Sequence, residues 1–159
     1  MLMATQPFNR RRPRQGGFTL IEVLVSVLIF ALGILGLVGL QASAIRYATD
    51  AQQRAEATFL ADQLLARMLI ADPAASAAFN HMPNGTARCA PTGAASANPM
   101  ILEWLSEVTA TFPRAVAAEQ QIVVTGGAPA NEVTVRLCWL NGPNDTPHTL
   151  EVSNRVQWQ

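Results

Sequence analysis

The sequence has no lysine, only two histidines and two cysteines, and few aromatic residues. Eleven arginines balance eleven acidic residues, but four of the arginines lie within residues 10–14, ahead of the first acid, Glu22. The chain after Gly17 therefore has seven arginines against eleven acids, a formal net charge of −4. Because nucleic-acid binding needs clustered basic side chains, we expect no direct nucleic-acid partner.

Polar side chains are nearly absent from one long segment. Residues 23–40 contain only Ser26 as a polar side chain, and the run of 23 residues at 18–40 is long enough to cross a membrane as a helix. A secretory signal cleaved after residues 42–44 would normally have a shorter apolar region. Neither such a signal nor a plain signal anchor explains Glu22, since a carboxylate near the bilayer centre costs about 2.5–3.5 kcal/mol.

The start of the apolar segment carries a recognisable motif. Residues 14–25 read RQGGFTLIEVLV and resemble the processing site of type IV pilins and the related pseudopilins. The resemblance implies that a prepilin peptidase cleaves between Gly17 and Phe18, and that the new N-terminal residue, Phe18, is N-methylated. It also implies that Glu22 acts in assembly by pairing with the N-terminal amine of a neighbouring subunit.

This resemblance predicts a division of the chain and a location. Residues 1–17 would be a cleavable leader, 18–40 a transmembrane and filament-core helix, 41–72 its amphipathic continuation, and 73–159 a periplasmic α+β domain. The protein would cross the inner membrane once and enter a pilus, at the filament tip in one version of the hypothesis. Its partners would be the prepilin peptidase, other minor pilins, the major pilin, the inner-membrane assembly platform and membrane lipid.

One helix is predicted from Phe18 to Asp72, because no proline interrupts this stretch and Pro73 ends it. Its second half has apolar residues at helical spacing. These are Ala57, Leu60, Ala61, Leu64, Leu65, Met68 and Leu69. Three glycines, Gly33, Gly36 and Gly39, either allow close helix packing or form a segment that unwinds on assembly; the sequence leaves both open.

The remaining residues predict a small α+β domain. Residues 74–98 are predicted to be irregular. A short helix is expected to begin after Asn98 and to end at Pro113; its predicted apolar face is Ile101, Leu102, Leu105, Val108 and Phe112. Three strands follow from alternating apolar residues: Gln121–Thr125, Glu132–Leu140 and Thr149–Trp158. We expect an antiparallel meander packed on the long helix, a pilin-like fold, with Trp104, Trp139 and Trp158 as core or interface anchors.

The two cysteines, Cys89 and Cys138, favour a disulfide in an exported domain. Such a bridge closes a loop of about 50 residues and would stabilise the fold by roughly 4 kcal/mol. The alternative is a nucleophilic or metal-binding cysteine acting with His81 or His148, which no spacing supports; both histidines are expected at the surface. We therefore expect no catalytic residue, no cofactor and no metal, and no enzymatic activity.

Similarity beyond the processing site favours one kind of pilin-like subunit. Residues 31–41, 54–68 and 155–158 resemble a minor pilin, a low-abundance subunit that takes part in starting pilus assembly. A minor pseudopilin of a type II secretion system has a closely similar N-terminal segment and is the main alternative. A monomeric, signal-anchored periplasmic binding domain is a third hypothesis, in which Glu22 would have no role.

Overall fold

In a computed structural model, the chain is described for residues 16–112, 114–127, 130–143 and 145–157. It divides into two compact units, one ending at Arg46 and the other beginning at Tyr47. The regular elements are two α-helices, α1 (Leu20–Leu69) and α2 (Pro99–Thr111), two short 3-10 helices (Pro73–Phe79 and Ala117–Glu119), and three strands, β1 (Gln121–Gly127), β2 (Ala130–Trp139) and β3 (His148–Gln157).

Helix α1 has the predicted character but is shorter at both ends, from Leu20 to Leu69. At its C-terminal end the N–H of Ala71 donates to the carbonyl of Met68 (3.2 Å), which tightens the last turn. The prediction that residues 74–98 are irregular is wrong in part, because a 3-10 helix covers Pro73–Phe79. Proline fits the first position of a helix, and the alanines that follow it favour helical backbone.

The second half of α1 buries one stripe of side chains in the core of the second unit. The buried residues are Ala57, Leu60, Ala61, Leu64, Leu65 and Met68. Leu69, which was predicted to belong to this stripe, is 51% exposed. Leu69 is the last residue of α1, so the buried stripe ends one residue before the end of the helix, at Met68. The prediction of the stripe is otherwise confirmed.

Helix α2 begins as predicted, because the side chain of Asn98 accepts a hydrogen bond from the N–H of Met100 (2.9 Å). Its buried face differs from the prediction. Leu102 is 50% exposed, whereas Trp104 is fully buried and its Nε1 donates to the carbonyl of Leu60 in α1 (2.8 Å). The buried residues of the helix, Ile101, Trp104, Leu105 and Val108, keep the helical spacing that Leu102 breaks.

An ion pair also joins the two helices near the end of α1. The guanidinium of Arg67 donates from its NH2 to Oε1 of Glu107 (2.8 Å). This hydrogen bond raises the pKa of Arg67 above its ordinary value. Both side chains are partly exposed, and a pair of this kind stabilises a fold by no more than about 1 kcal/mol.

The three strands form one antiparallel sheet in the order β1-β2-β3. Alternate side chains of β2 enter the core: Val133, Val135, Leu137 and Trp139. The indole of Trp139 stacks on Phe112 (ring centroids 5.2 Å apart) and on His148 (5.8 Å), and its Nε1 donates to the side chain of Gln53 in α1 (3.1 Å). Trp158 lies outside the described residues. The predicted α+β, pilin-like class is therefore confirmed: a long N-terminal helix followed by a small antiparallel sheet.

The prediction that both histidines lie at the surface is wrong for His81, which is 3% exposed. Its backbone forms a β-bridge with Ile122. Its ring accepts a hydrogen bond at Nδ1 from the N–H of Ser96 (3.1 Å), and its Nε2 lies 2.9 Å from the carbonyl of Ala117. His81 thus holds together three segments that are far apart in the sequence, a contact that no local pattern reveals.

Candidate processing and assembly segment

The peptide bond between Gly17 and Phe18 precedes the first residue of α1. Residues 16–19 are not helical, and the helix begins at Leu20. The carbonyl of Thr19 accepts the first helical hydrogen bonds, from the N–H groups of Glu22 (3.1 Å) and Val23 (3.3 Å).

The peptide bond between Gly17 and Phe18 is also exposed. The side chain of Phe18 is 82% exposed. A Cβ added to Gly17 would meet no atom within 4 Å. The bond is therefore in accessible, non-helical backbone, the form in which a peptidase can bind and cleave a chain.

Glu22 lies in the first turn of α1. A carboxylate is favourable there because the helix dipole places partial positive charge at the N-terminus. Its backbone carbonyl accepts a hydrogen bond from the hydroxyl of Ser26 (2.7 Å). Among the described residues of the chain, no side chain pairs with the carboxylate of Glu22.

The helix that follows Glu22 carries apolar side chains on all of its sides. One 18-residue window has a mean hydropathy of 2.8 and none of it is buried. The hydroxyls of Ser26 and Ser43 donate to the carbonyls four residues earlier, at Glu22 and Gly39, so these polar groups are satisfied inside the helix. Within the described ranges, α1 is the one helix long and apolar enough to cross a membrane. Composition and internal hydrogen bonding both suit an apolar solvent.

The three glycines of this segment lie in continuous helix. A Cβ added at Gly33, Gly36 or Gly39 would meet no atom within 4 Å, so no neighbour in this chain requires glycine there. Close packing against another helix and unwinding during assembly both remain compatible with this geometry.

Residues 12–38 match the family model described as the prokaryotic N-terminal methylation motif. This motif is the signal of a type IV pilin-like or pseudopilin-like protein. It covers the predicted cleavage site and the start of the apolar helix, and it implies processing by a prepilin peptidase and assembly with other pilins. Proteins with this motif are structural subunits, not enzymes. No curated protein and no solved structure matches the chain at a significant level.

The predicted site residues fall in two groups. Gly17, Phe18 and Glu22 lie together at the start of α1, and their roles stay predictions. Cys89 and Cys138 belong to the second unit, where they form a disulfide with their Cα atoms 5.5 Å apart. Among the described residues, no three His, Cys, Asp or Glu side chains are grouped so that they could hold a metal ion.

Proposed function

We propose that this protein is a minor pilin that takes part in the initiation and assembly of type IV pili, and that it is similar to PilV, the type IV pilus modification protein. The methylation motif at residues 12–38 is the observation that carries the proposal. The similarity at residues 31–41, 54–68 and 155–158 favours this subunit over other pilins. A filament containing it would be altered in adhesion, twitching motility or DNA uptake, without direct contact between this chain and DNA.

In the proposed sequence of events, the apolar part of α1 first holds the chain in the inner membrane. The second unit lies in the periplasm, because the basic residues at 10–14 stay on the cytoplasmic side. The prepilin peptidase then hydrolyses the bond between Gly17 and Phe18, and the freed amine of Phe18 receives a methyl group. The leader at 1–17 is thereby removed before assembly.

Assembly then depends on Glu22. A carboxylate within an apolar segment needs an opposite charge or hydrogen-bond donors. The N-terminal amine of a neighbouring subunit supplies both, since it is positively charged and carries N–H donors. The pairing would register each incoming subunit against the previous one. It would also explain why a membrane helix retains a carboxylate that destabilises its insertion.

The intact mass of the protein purified from its native membrane tests this function. We expect a species that begins at Phe18 and carries one additional methyl group. A chain that retains the leader at 1–17, or one that begins after Ala44, would contradict the proposal and favour a plain anchor or a secreted domain.

A deletion strain then separates the two subunit types that share the motif. A minor pilin predicts loss or severe reduction of surface pili with normal enzyme secretion. A minor pseudopilin of a type II secretion system predicts the opposite result, with enzymes retained in the periplasm and pili present. Complementation with the wild-type chain is the control for both readouts.

A further inference from the structure

The two outer edges of the sheet differ. At the β1 edge, His81 and Ile122 exchange both backbone hydrogen bonds (3.0 and 2.9 Å), and the side chain of Asn80 accepts from the N–H of Val124 (2.8 Å). At the β3 edge, no strand or bridge among the described residues pairs with the outer side. The sheet is therefore closed at β1 and open at β3.

Hydrogen bonds on the β1 side show which groups of β3 face outward. The side-chain amide of Gln120, next to the first residue of β1, donates to the carbonyl of Cys138 (3.0 Å) and accepts from its N–H (2.9 Å). The backbone groups of Cys138 therefore point toward β1. Thr149, which lies opposite Cys138 on β3, must then point its own N–H and C=O away from β2. The same holds at every second residue along the strand: Glu151, Ser153 and Arg155.

This open edge lacks most of the features that protect natural sheet edges. The strand is 10 residues long, whereas most strands have about 5–6. It contains no proline and pairs with β2 in an unbroken register, without a bulge. One outward group is occupied within the chain, since the side chain of Asn154 accepts from the N–H of Arg155 (2.8 Å). A long edge without proline or a bulge is a template for another strand.

Two charges select what can pair with this edge. Glu151 and Arg155 are exposed and lie four residues apart, so they share one face of β3. Arg136 holds Glu151 in place through Nε (2.9 Å) and NH2 (2.6 Å), both donating to Oε2. A strand that places like charges opposite these residues is repelled, and one that places opposite charges there is attracted.

We propose that the outer edge of β3 pairs with the same edge of a second copy of this chain, antiparallel about Ser153, so that Glu151 of each copy lies opposite Arg155 of the other. The backbone hydrogen bonds would supply affinity, and the two charges would fix direction and register. Because β3 carries this complement of charges itself, a second copy is the occupant that the charges favour. The inference does not rest on the proposed function.

A peptide with the sequence of β3 itself, HTLEVSNRVQ, is a suitable probe. Aligned antiparallel about Ser153, its arginine lies opposite Glu151 and its glutamate opposite Arg155. The matched control, HTLRVSNEVQ, has the same composition but places like charges opposite both residues. Fluorescence anisotropy with the full chain in detergent should show binding of the first peptide and at least about fivefold weaker binding of the second. Equal affinities would overturn the proposal.

Three variants at the edge complete the test. Ser153→Pro removes an outward N–H and places the ring where the partner strand would lie. It keeps the backbone hydrogen bonds to β2 but removes one side-chain bond to that strand, between the hydroxyls of Ser153 and Thr134 (2.9 Å). It should lose peptide binding, whereas Ser153→Thr should keep it. If Ser153→Pro does not fold, Arg155→Glu replaces it: this variant should prefer a peptide with arginine at both charged positions. Binding by folded Ser153→Pro as tight as wild type would refute the inference.

The oligomeric state of the same samples tests the pairing between two copies of the full chain. The wild-type chain should form a dimer in detergent that Ser153→Pro dissociates. A wild-type chain that stays monomeric at concentrations where the β3 peptide binds would overturn the assignment to a second copy. Failure of all of these experiments would leave the cleavage before Phe18 unaffected, because that cleavage is measured separately by intact mass.

Discussion

The two parts of helix α1 present apolar residues to different surroundings. From Leu20 to Arg46 every residue is exposed, and this segment holds most of the large apolar side chains that are exposed among the described residues. From Tyr47 to Leu69 the apolar residues form a stripe, and six of them are buried in the second unit. Both parts are regular helix, so helix propensity does not separate them.

The comparison shows that the arrangement of apolar residues around a helix, more than their presence, indicates its environment. A stripe is matched by one protein surface, whereas apolar residues on every side need an apolar solvent or several neighbouring helices. The carboxylate of Glu22 is unusual because it lies in the part of α1 that is apolar on every side. In the second part of α1, an acid such as Glu56 can reach water; in the first part, a charged side chain requires a partner.

The largest effect is expected at the cleavage site. Gly17→Val should block processing completely, because a branched side chain next to the cleaved bond would clash in a peptidase site that accepts glycine. The intact mass of the membrane protein would then include residues 1–17. Gly16→Val, one residue earlier and equally open, is the matched control and should still be processed. Normal processing of Gly17→Val would place the cleaved bond elsewhere.

Glu22→Gln should reduce incorporation into filaments by about tenfold or more while leaving processing and membrane insertion intact. Removing the charge eases insertion, since a carboxylate in an apolar segment costs about 2.5–3.5 kcal/mol at the bilayer centre, so poor insertion cannot explain an assembly defect. Quantitative immunoblots of sheared filaments measure the amount incorporated, and immunoblots of membranes measure the amount processed and inserted.

Glu56→Gln is the control for the second part of α1, where the side chain is partly exposed and hydrogen-bonded to Gln52 (2.8 Å). It should assemble like wild type. Normal assembly of Glu22→Gln would instead favour the signal-anchored binding domain.

Removing the disulfide should destabilise the second unit but leave the first helical part unchanged. The bridge joins residues 49 apart in sequence, and closing a loop of this size stabilises a fold by roughly 4 kcal/mol. Denaturant unfolding of the Cys89→Ser/Cys138→Ser double variant, followed by near-UV circular dichroism, measures the loss. The wild-type chain with reductant added is the control and should lose a similar amount.

A smaller effect is expected from two substitutions in α2 that separate its buried and exposed faces. Trp104→Phe should lower the free energy of unfolding by about 2 kcal/mol, because it removes a buried hydrogen bond and leaves a cavity. Leu102→Ala, on the exposed face, should change it by less than about 0.5 kcal/mol. Equal effects in thermal or denaturant unfolding would contradict the assignment of faces.

Local patterns were sufficient to predict most of the regular elements. Helix α1, the Asn98 cap of α2 and all three strands follow from periodicity and turn residues close together in the sequence. The 3-10 helix at Pro73–Phe79 was missed because alanine, serine and proline also suit loops. Asp72 followed by proline was an available signal, since this pair is typical of a helix start.

The parts that could not be predicted depend on contacts between distant segments. The burial of His81 comes from its pairing with Ile122, and the hydrogen bonds of Gln120 to Cys138 require the sheet to be formed first. The candidate site, in contrast, does not depend on contacts between distant segments. The positions of Gly17, Phe18 and Glu22 form a local motif, so the sequence indicates it without any knowledge of the fold.

The disulfide described above has a consequence for how the protein matures. A chain with two cysteines has a single intramolecular pairing, whereas four cysteines would allow three. The chain therefore has no incorrectly paired form of its own to correct. If the second unit is exported as proposed, its oxidation needs a disulfide-forming oxidant but no disulfide isomerase. The one remaining error, a bridge between two different chains, becomes rarer as the concentration of the protein falls.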